Sequence, residues 1–599
     1  MKTGFIKIFL MLTSCWMLSW GCTSLDEEVL DEVLEGSGTA DVISGSIAPA
    51  YGNIAKGVWR HTRNFALQEI ASEEAILPNR GGKDWFDGGK YFELHRHTTT
   101  PTNAAVTETW DQTTITISRT LSAIEVLRPL SESGDEEATG ALYEMIALRA
   151  YLNMLMLDNW GLIFKKESSQ ETSTILRGQP AIDYIQEELE SVVDVINMDK
   201  GPGRMTQGAV WGLLARLHLN AAVWRDPYGT PDFRAEDMDK VIEYSDNIIN
   251  SGRYNLSSEY FDLFDDDNNG NSELIFALDQ RGQLSSEHSR WTYWSMSAAV
   301  YGRPEWIATG NPDGTNGPAM TPSFYQKWED AYSPADPAVD ARFYKQNLMV
   351  PANLQDLNGL SPKGGADLNQ FFCVPLSEFE IDRGILRGTI WGARRFADRS
   401  QGYLSCDGNG VRVYPVIPRN SVVNDEGTVF NPDDSAVYVT HTQRVDLEGP
   451  HASHNSGYRF SKYAFSSTSA NANSFSSIDI VLLRLGEVYL NRAEAKLRKG
   501  DNAGALADIN LLRASRNARP SQIPPALNGI DLESLLDERG FELYWEGLRR
   551  TDQIRFGSYE DSWTEKTDSN PERRLFPIPQ SAIDGSSNLP DFLIQNRGY

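Results

Sequence analysis

The run from Val481 to Asn517, VLLRLGEVYLNRAEAKLRKGDNAGALADINLLRASRN, narrows the possible folds of this chain more than any other stretch. Leu482, Leu485, Tyr489, Ala493 and Leu497 recur at three- and four-residue steps. That spacing predicts one apolar face of an α-helix, with Arg484, Glu487, Asn491 and Glu494 turned elsewhere. Lys496, Arg498 and Lys499 crowd the last turn, where cations oppose the negative end of the helix dipole. Gly500 suits a left-handed C-terminal cap. Asp501 suits the N-cap of a second helix with Ala505, Leu506, Ile509 and Leu512 on its stripe. An αα-hairpin of this kind cannot bury both of its faces alone, so the chain must contain more of them.

Further helical patterns are present. Val42–Ala66 reads as a first helix, ending before Leu67, and another lies around Trp110–Leu127. Ala141–Leu157, Ala181–Ile196, Thr206–Trp224 and Ala235–Asn250 follow, with Pro202-Gly203 interrupting and Gly252 closing the series. The expected hairpins pair 141–157 with 181–196 and 206–224 with 235–250; the two halves of 481–515 form the third. The small residues Ala493, Ala495 and Ala505 at that turn give it tetratricopeptide-like packing. Leu535–Arg555 reads as one helix whose alternating face (Glu538, Arg539, Glu542, Glu546, Arg549, Asp552) predicts a structural salt-bridge network. Leu575-Phe576-Pro577-Ile578-Pro579 cannot be helical and is expected to lie extended against the body.

From about Leu274 to Asp479 helical periodicity fades, Gly, Pro, Asn and Asp accumulate, and short β-prone runs such as Val411–Val416 occur. The fold class is therefore mainly α: a tetratricopeptide-like scaffold of helical hairpins carrying a variable, loop-rich segment with short strands. The expected boundaries are 41–275 for an N-terminal scaffold, 276–478 for the variable segment and 479–599 for a C-terminal scaffold with its tail.

The first residues read as an address. Lys2 and Lys7 precede an apolar stretch, Ile8–Trp20, of signal-peptide length. Cys22 follows Leu18-Ser19-Trp20-Gly21, resembling a bacterial lipoprotein cleavage box; Cys15 after Leu12-Thr13-Ser14 is the alternative. Cleavage at residue 21 would leave a lipidated Cys22 on an acidic leash, 22–40. The formal net charge of -28, without any Lys/Arg-rich run, argues against a nucleic-acid partner. Cys373 and Cys406 are the remaining cysteines, and they could pair or stand as separate thiols.

Two aromatic regions stand out. Residues 72–97 form an irregular stretch with Pro78, two glycine pairs and Trp85, Phe86 and Tyr91, which are expected to be exposed. The variable segment holds Trp291, Trp294 and Tyr301. Large rings in Gly-rich surface loops are costly unless something covers them. A protein that binds sugars needs flat ring faces and a few polar groups. The candidate ligand residues are accordingly Arg80, Asp84, Trp85, Tyr91, Trp291, Trp294 and Tyr301.

Other chemistry is poorly supported. Asp265–Gly270 begins like a calcium loop, but the position that requires Glu is Phe276, so a solvated turn is expected there. His95 and His97, and His451 and His454, lack further ligands at metal spacing, so neither metal nor cofactor is expected. A glycoside hydrolase would need two converging carboxylates, and no signature selects a pair. A peptide-binding tetratricopeptide scaffold would leave the anchor and the aromatic loops unexplained.

Taken in order, several motifs resemble the SusD/RagB family of outer-membrane nutrient-binding lipoproteins. They are LDEE after Cys22, ALRAYLNMLMLDNWG at 147–161, GRMTQGAVWGLLARLHLNAAVW at 203–224, RLGEVYLNRAEAKLRKGD at 484–501, ERGFELYWEGLRRTDQIRFG at 538–557, LFPIP at 575–579 and the closing QNRGY. The resemblance implies four tetratricopeptide-like hairpins with a variable, ligand-bearing segment packed on them. It also implies a lipid anchor in the outer membrane, a SusC-like TonB-dependent transporter as partner, and a glycan, or for RagB-like relatives a peptide, as ligand.

Overall fold

The computed structural model describes residues 38–80, 86–280, 290–291, 294, 317–332, 336–351, 371–393, 405–406, 410–415, 422–423, 429–430, 440–453, 455–464, 466 and 475–599. Cys15, Cys22 and most of the leash lie outside them. Two units are distinguished, Met1–Gly45 and Ser46–Tyr599. Of the first, only the opening of helix Thr39–Asn53 is described. That helix passes into a π turn, Ile54–Val58, and a short helix, Asn64–Glu69, so the single helix expected over 42–66 is broken.

Among the described residues, seven helices build the scaffold: α1 (Ala104–Glu132), α2 (Glu136–Trp160), α3 (Gly178–Val193), α4 (Gln207–Trp224), α5 (Ala235–Asn250), α6 (Leu485–Arg498) and α7 (Asn502–Ser515). Each packs on the next. Side chains set their starts: Asn103 accepts from the Ala105 and Val106 N–H groups, Asp135 from Ala138, Thr206 from Ala209 and Asp501 from Gly504. The first hairpin is α1 with α2, around Ser133–Asp135, and not 141–157 with 181–196. The sequence reading placed α1 but gave it no partner. Asp135 caps α2 directly after the turn, so α1 and α2 fold back on each other before α3 begins.

Around α6 and α7, Leu490, Ala493, Ala505, Ile509 and Leu512 form a buried cluster with Leu535 and Leu543. Full burial of one such large aliphatic side chain contributes about 1.5–3 kcal/mol. Leu482 does not join α6. It belongs to strand β2 (Ile480–Arg484), which pairs antiparallel with β1 (Leu274–Leu278). This pairing sits where the variable segment leaves and re-enters the scaffold. Its described parts carry short antiparallel strands, among them Arg383–Leu386 between Tyr344–Lys345 and Arg459–Ser461. A helix also lies there, Pro322–Tyr332, where little helical periodicity was read. Cys373 and Cys406 form a disulfide.

The Asp265–Gly270 turn is not merely solvated. Asn268 is buried, its amide donating to Leu263 O and Asp479 O at 2.9 Å and accepting from the Asp479 N–H at 2.9 Å. Among the described residues, no group of three or more His, Cys, Asp or Glu is placed to hold a metal ion.

The helix expected over 535–555 is two helices, Leu532–Leu543 and Arg549–Phe556, separated by a turn at residues 544–548 in which Trp545 and Gly547 take positive φ. Its charged residues point inward. Arg484 meets Glu273 (2.9 Å), Glu542 (2.7 Å) and Glu546 (2.7 Å), and Arg516 meets Glu273 at 2.7 Å and also Glu542. Arg342 meets Asp340 (2.7 Å) and Glu538 (2.6 Å). Burial alone would raise the Glu542 pKa, but Arg516, Arg484 and Arg342 together hold it well below the carboxylate range. The expected network is thus present, in the core and not on the surface. Removing one member of such a buried set costs about 3–5 kcal/mol, because its partners keep their charge without compensation.

The tail runs extended against the body, as the prolines require. The Phe576 N–H donates to Asn159 O at 2.8 Å, the Trp160 indole N–H to Pro577 O at 3.2 Å, and the Asn596 amide to Trp160 O and Phe576 O.

Candidate functional site

Residues 72–97 are fastened to the body at several points. Ala75–Ile76 pairs with Ala319–Met320, and the Asn79 N–H donates to Leu447 O at 2.8 Å. The Arg80 guanidinium is buried and donates to the carbonyls of Gly317 (3.2 Å), Ser456 (2.9 Å) and Ser453. It is a clamp between this loop and the variable segment. As an open ligand contact it does not serve, since the side chain is buried and its Nε and Nη1 groups donate to backbone carbonyls. Gly88 and Gly89, at φ 72° and 85°, allow the turn that starts the short helix Lys90–His95.

The two histidines of this stretch are anchors. His95 contacts Thr564 O (2.6 Å) and Ile70 O (3.3 Å), and the His97 ring stacks on Tyr559 at 4.3 Å. Burial lowers the pKa of both rings.

The two aromatic regions read from the sequence converge, but in the interior. Tyr91 is 0% exposed, with its ring 5.7 Å from that of Trp294. Trp294, also 0% exposed, lies 5.4 Å from His61 and 6.1 Å from Trp545. Trp291 stacks on Phe65 at 3.8 Å and donates its indole N–H to Trp59 O at 2.9 Å. These three rings were expected to be open to a ligand. Phe65, Trp545 and their neighbours, distant in sequence, cover them instead, so the rings form a buried slab. Phe86, on the rim, is 38% exposed and meets Phe92 edge-on at 5.6 Å. Asp84, Trp85 and Tyr301 lie outside the described residues.

The sequence profile of the SusD family matches residues 250–599. The chain belongs to the SusD family. A starch-binding protein, SusD, from Bacteroides thetaiotaomicron is 28% identical over 488 residues, covering 78% of this chain and 74% of that protein. A SusD-like protein, P25, from Formosa agariphila is 21% identical over 75% of this chain and 68% of its own. Among solved structures, a SusD-like protein from Bacteroides fragilis superposes with a TM-score of 0.60 at 18% identity, covering 96% of this chain and 99% of that one. Surface glycan-binding protein A from Bacteroides thetaiotaomicron, solved with laminarihexaose, gives 0.60 at 17% identity, covering 93% and 99%. These likenesses establish the mainly α SusD fold for the chain.

In this SusD-family scaffold the slab rests on a feature the sequence reading missed, the pair Glu69 and Glu74. Glu69 accepts from the Gly547 N–H at 2.6 Å and Glu74 from the Trp545 N–H at 2.5 Å. Burial raises Glu74 to about 7, while burial and then Glu74 itself raise Glu69. A side-chain hydrogen bond between the two carboxyls also raises Glu69 and lowers Glu74. The only sequence signal was Trp545-Glu546-Gly547, with a glycine that breaks a charged helix. At Gly547 (φ 75°) a Cβ would fall 2.7 Å from the Trp59 ring.

Proposed function

We propose that the protein is a lipid-anchored, cell-surface glycan-binding protein without catalytic activity. It passes oligo- or polysaccharide to a SusC-like TonB-dependent transporter in the outer membrane. The observation that carries this reading is the meeting of the 72–97 loop with the variable segment over one aromatic slab, in a SusD-family chain. The starch-binding relative and the laminarihexaose-bound neighbour support glycan as the ligand class. The ligand residues proposed are Asp84, Trp85, Phe86 and Tyr301; of these Phe86 is described, exposed at the edge of the slab that Tyr91, Trp291 and Trp294 build. The paired carboxyls below offer little to a hydrolase, because Glu69 and Glu74 are 0% and 1% exposed. Among the described residues no helix is long and apolar enough to cross a membrane.

Titration of the protein with soluble starch, laminarin and their oligosaccharides tests the reading. Trp85→Ala should weaken binding about fivefold, the value of roughly 1 kcal/mol of ring stacking, with an unchanged melting temperature. Trp294→Ala should instead destabilise the fold by about 3–5 kcal/mol, as truncation of a core ring does. Binding of peptides by a protein that ignores every glycan would overturn the assignment.

A further inference from the structure

A crevice of about 430 Å³ lies away from the slab, between α1, the Ile163–Lys165 strand with the turn that follows it, and the C-terminal tail. Its size falls in the range of small-molecule sites, roughly 300–1,000 Å³. Three rings form its apolar wall. Trp110 stands edge-on to Phe164 at 5.8 Å, and Phe164 lies 6.4 Å from Phe592 of the tail. Trp110 is only 4% exposed and lines the crevice.

Along α1, beyond Trp110, the crevice lining carries hydroxyls at one per helical turn. Thr114, Ser118 and Ser122 each donate to the carbonyl four residues back, at 3.0, 3.0 and 3.1 Å. Their protons are therefore engaged, and their lone pairs remain to accept from a ligand. The charges around the crevice are balanced. Arg149 is held by Glu188 at 2.9 Å and donates to Lys166 O, and Lys166 acts on Glu125, whose carboxylate accepts from the Ser169 N–H. With a chain of net charge -28 around it, the site favours a neutral ligand.

We infer that this crevice is a second saccharide subsite, taking a neutral sugar unit with its apolar face on the rings and its hydroxyls toward the Ser/Thr ladder. The inference rests on the glycan-binding reading above and extends it, for the crevice shares no residue with the slab. A polysaccharide held at both places would bind as a bivalent ligand, whereas a short oligosaccharide would not.

The test uses the full-length protein with laminarin and soluble starch as polymers, and laminarihexaose and maltohexaose as short probes. Two variants fill the crevice from its rim: Ser122→Phe, and Gly585→Leu, where an added Cβ meets no atom within 4 Å. Both should lose tenfold or more in polymer affinity while the loop site keeps its affinity for the short probes. A crystal soaked with short probe should show a sugar ring against Trp110 and Phe592. Should Ser122→Phe fail to fold, Gly585→Leu carries the test. Sugar at the loop site with an empty crevice, and variants that hold polymer like the parent, would overturn the subsite and leave the proposed function standing. Absence of binding to any of these glycans at either place would overturn both.

Discussion

Single carboxyls in this protein sit at opposite extremes. Glu494, which burial alone would raise, is brought down to about 2 by Arg555 and Arg498, while burial holds Glu74 at about 7 beneath the aromatic slab. The signs of their pH effects differ accordingly. Glu494 contributes stability above its ordinary 4.5 and loses it as pH falls toward 2. Glu74 keeps its proton in the folded state after the unfolded chain has released it near 4.5, so rising pH removes stability between 4.5 and about 7. Glu74→Gln keeps an oxygen for the Trp545 N–H and cannot ionise. Thermal unfolding from pH 5 to 8 should therefore show the parent losing on the order of 1–3 kcal/mol relative to the variant. Parallel curves would mean that Glu74 is ionised throughout and that the paired-carboxyl description is mistaken. Nothing in the sequence near Glu69 or Glu74 announced this pair. Its state depends on Trp545 and Gly547, supplied from the other end of the chain.

At the scale of elements, local chemistry was readable and partners were not. Gly500 ends α6 at φ 85°, and Gly161 ends α2 at φ 67°. An added Cβ at Gly500 would meet nothing within 4 Å, whereas at Gly161 it would fall 2.6 Å from Leu575 Cδ1. Gly500→Ala should therefore cost about 1 kcal/mol, the strain of a left-handed alanine. Gly161→Ala should cost more, about 2–3 kcal/mol, because it also displaces the buried Leu575 of the tail. Urea unfolding of the two variants checks the order, and equal losses would show that the tail yields freely. The Leu535–Arg555 reading failed for the converse reason. Helical period and alternating charge were both present, but the Glu69 and Glu74 carboxyls capture the Gly547 and Trp545 N–H groups, which a continuous helix would need.

For the whole molecule, the β1–β2 pairing lets a long variable segment leave between α5 and α6 without separating them. Ligand chemistry can then vary in the segment while the scaffold keeps its packing. The proposed anchor is tested at the same scale. Cys22→Ala should release the protein from membranes into the soluble fraction, whereas retention would transfer the anchor to Cys15 or remove it from the account.

What the sequence by itself determined is what lies within a few residues along the chain: the main scaffold helices, the cap at Asp501, the proline-bound tail and the two aromatic regions. These follow from hydrogen bonds and side-chain periods that close within about four residues. Tertiary structure alone decided which side each aromatic ring faces. Trp291, Trp294 and Tyr91 carry the same local signature as exposed sugar-stacking rings, yet Phe65 and Trp545 arrive from far along the chain and remove them from solvent. The buried Arg484–Glu542 network and the crevice at Trp110 were decided in the same way. Burial is a property of what packs above a residue, and the covering residues are set by chain segments that only the fold brings together.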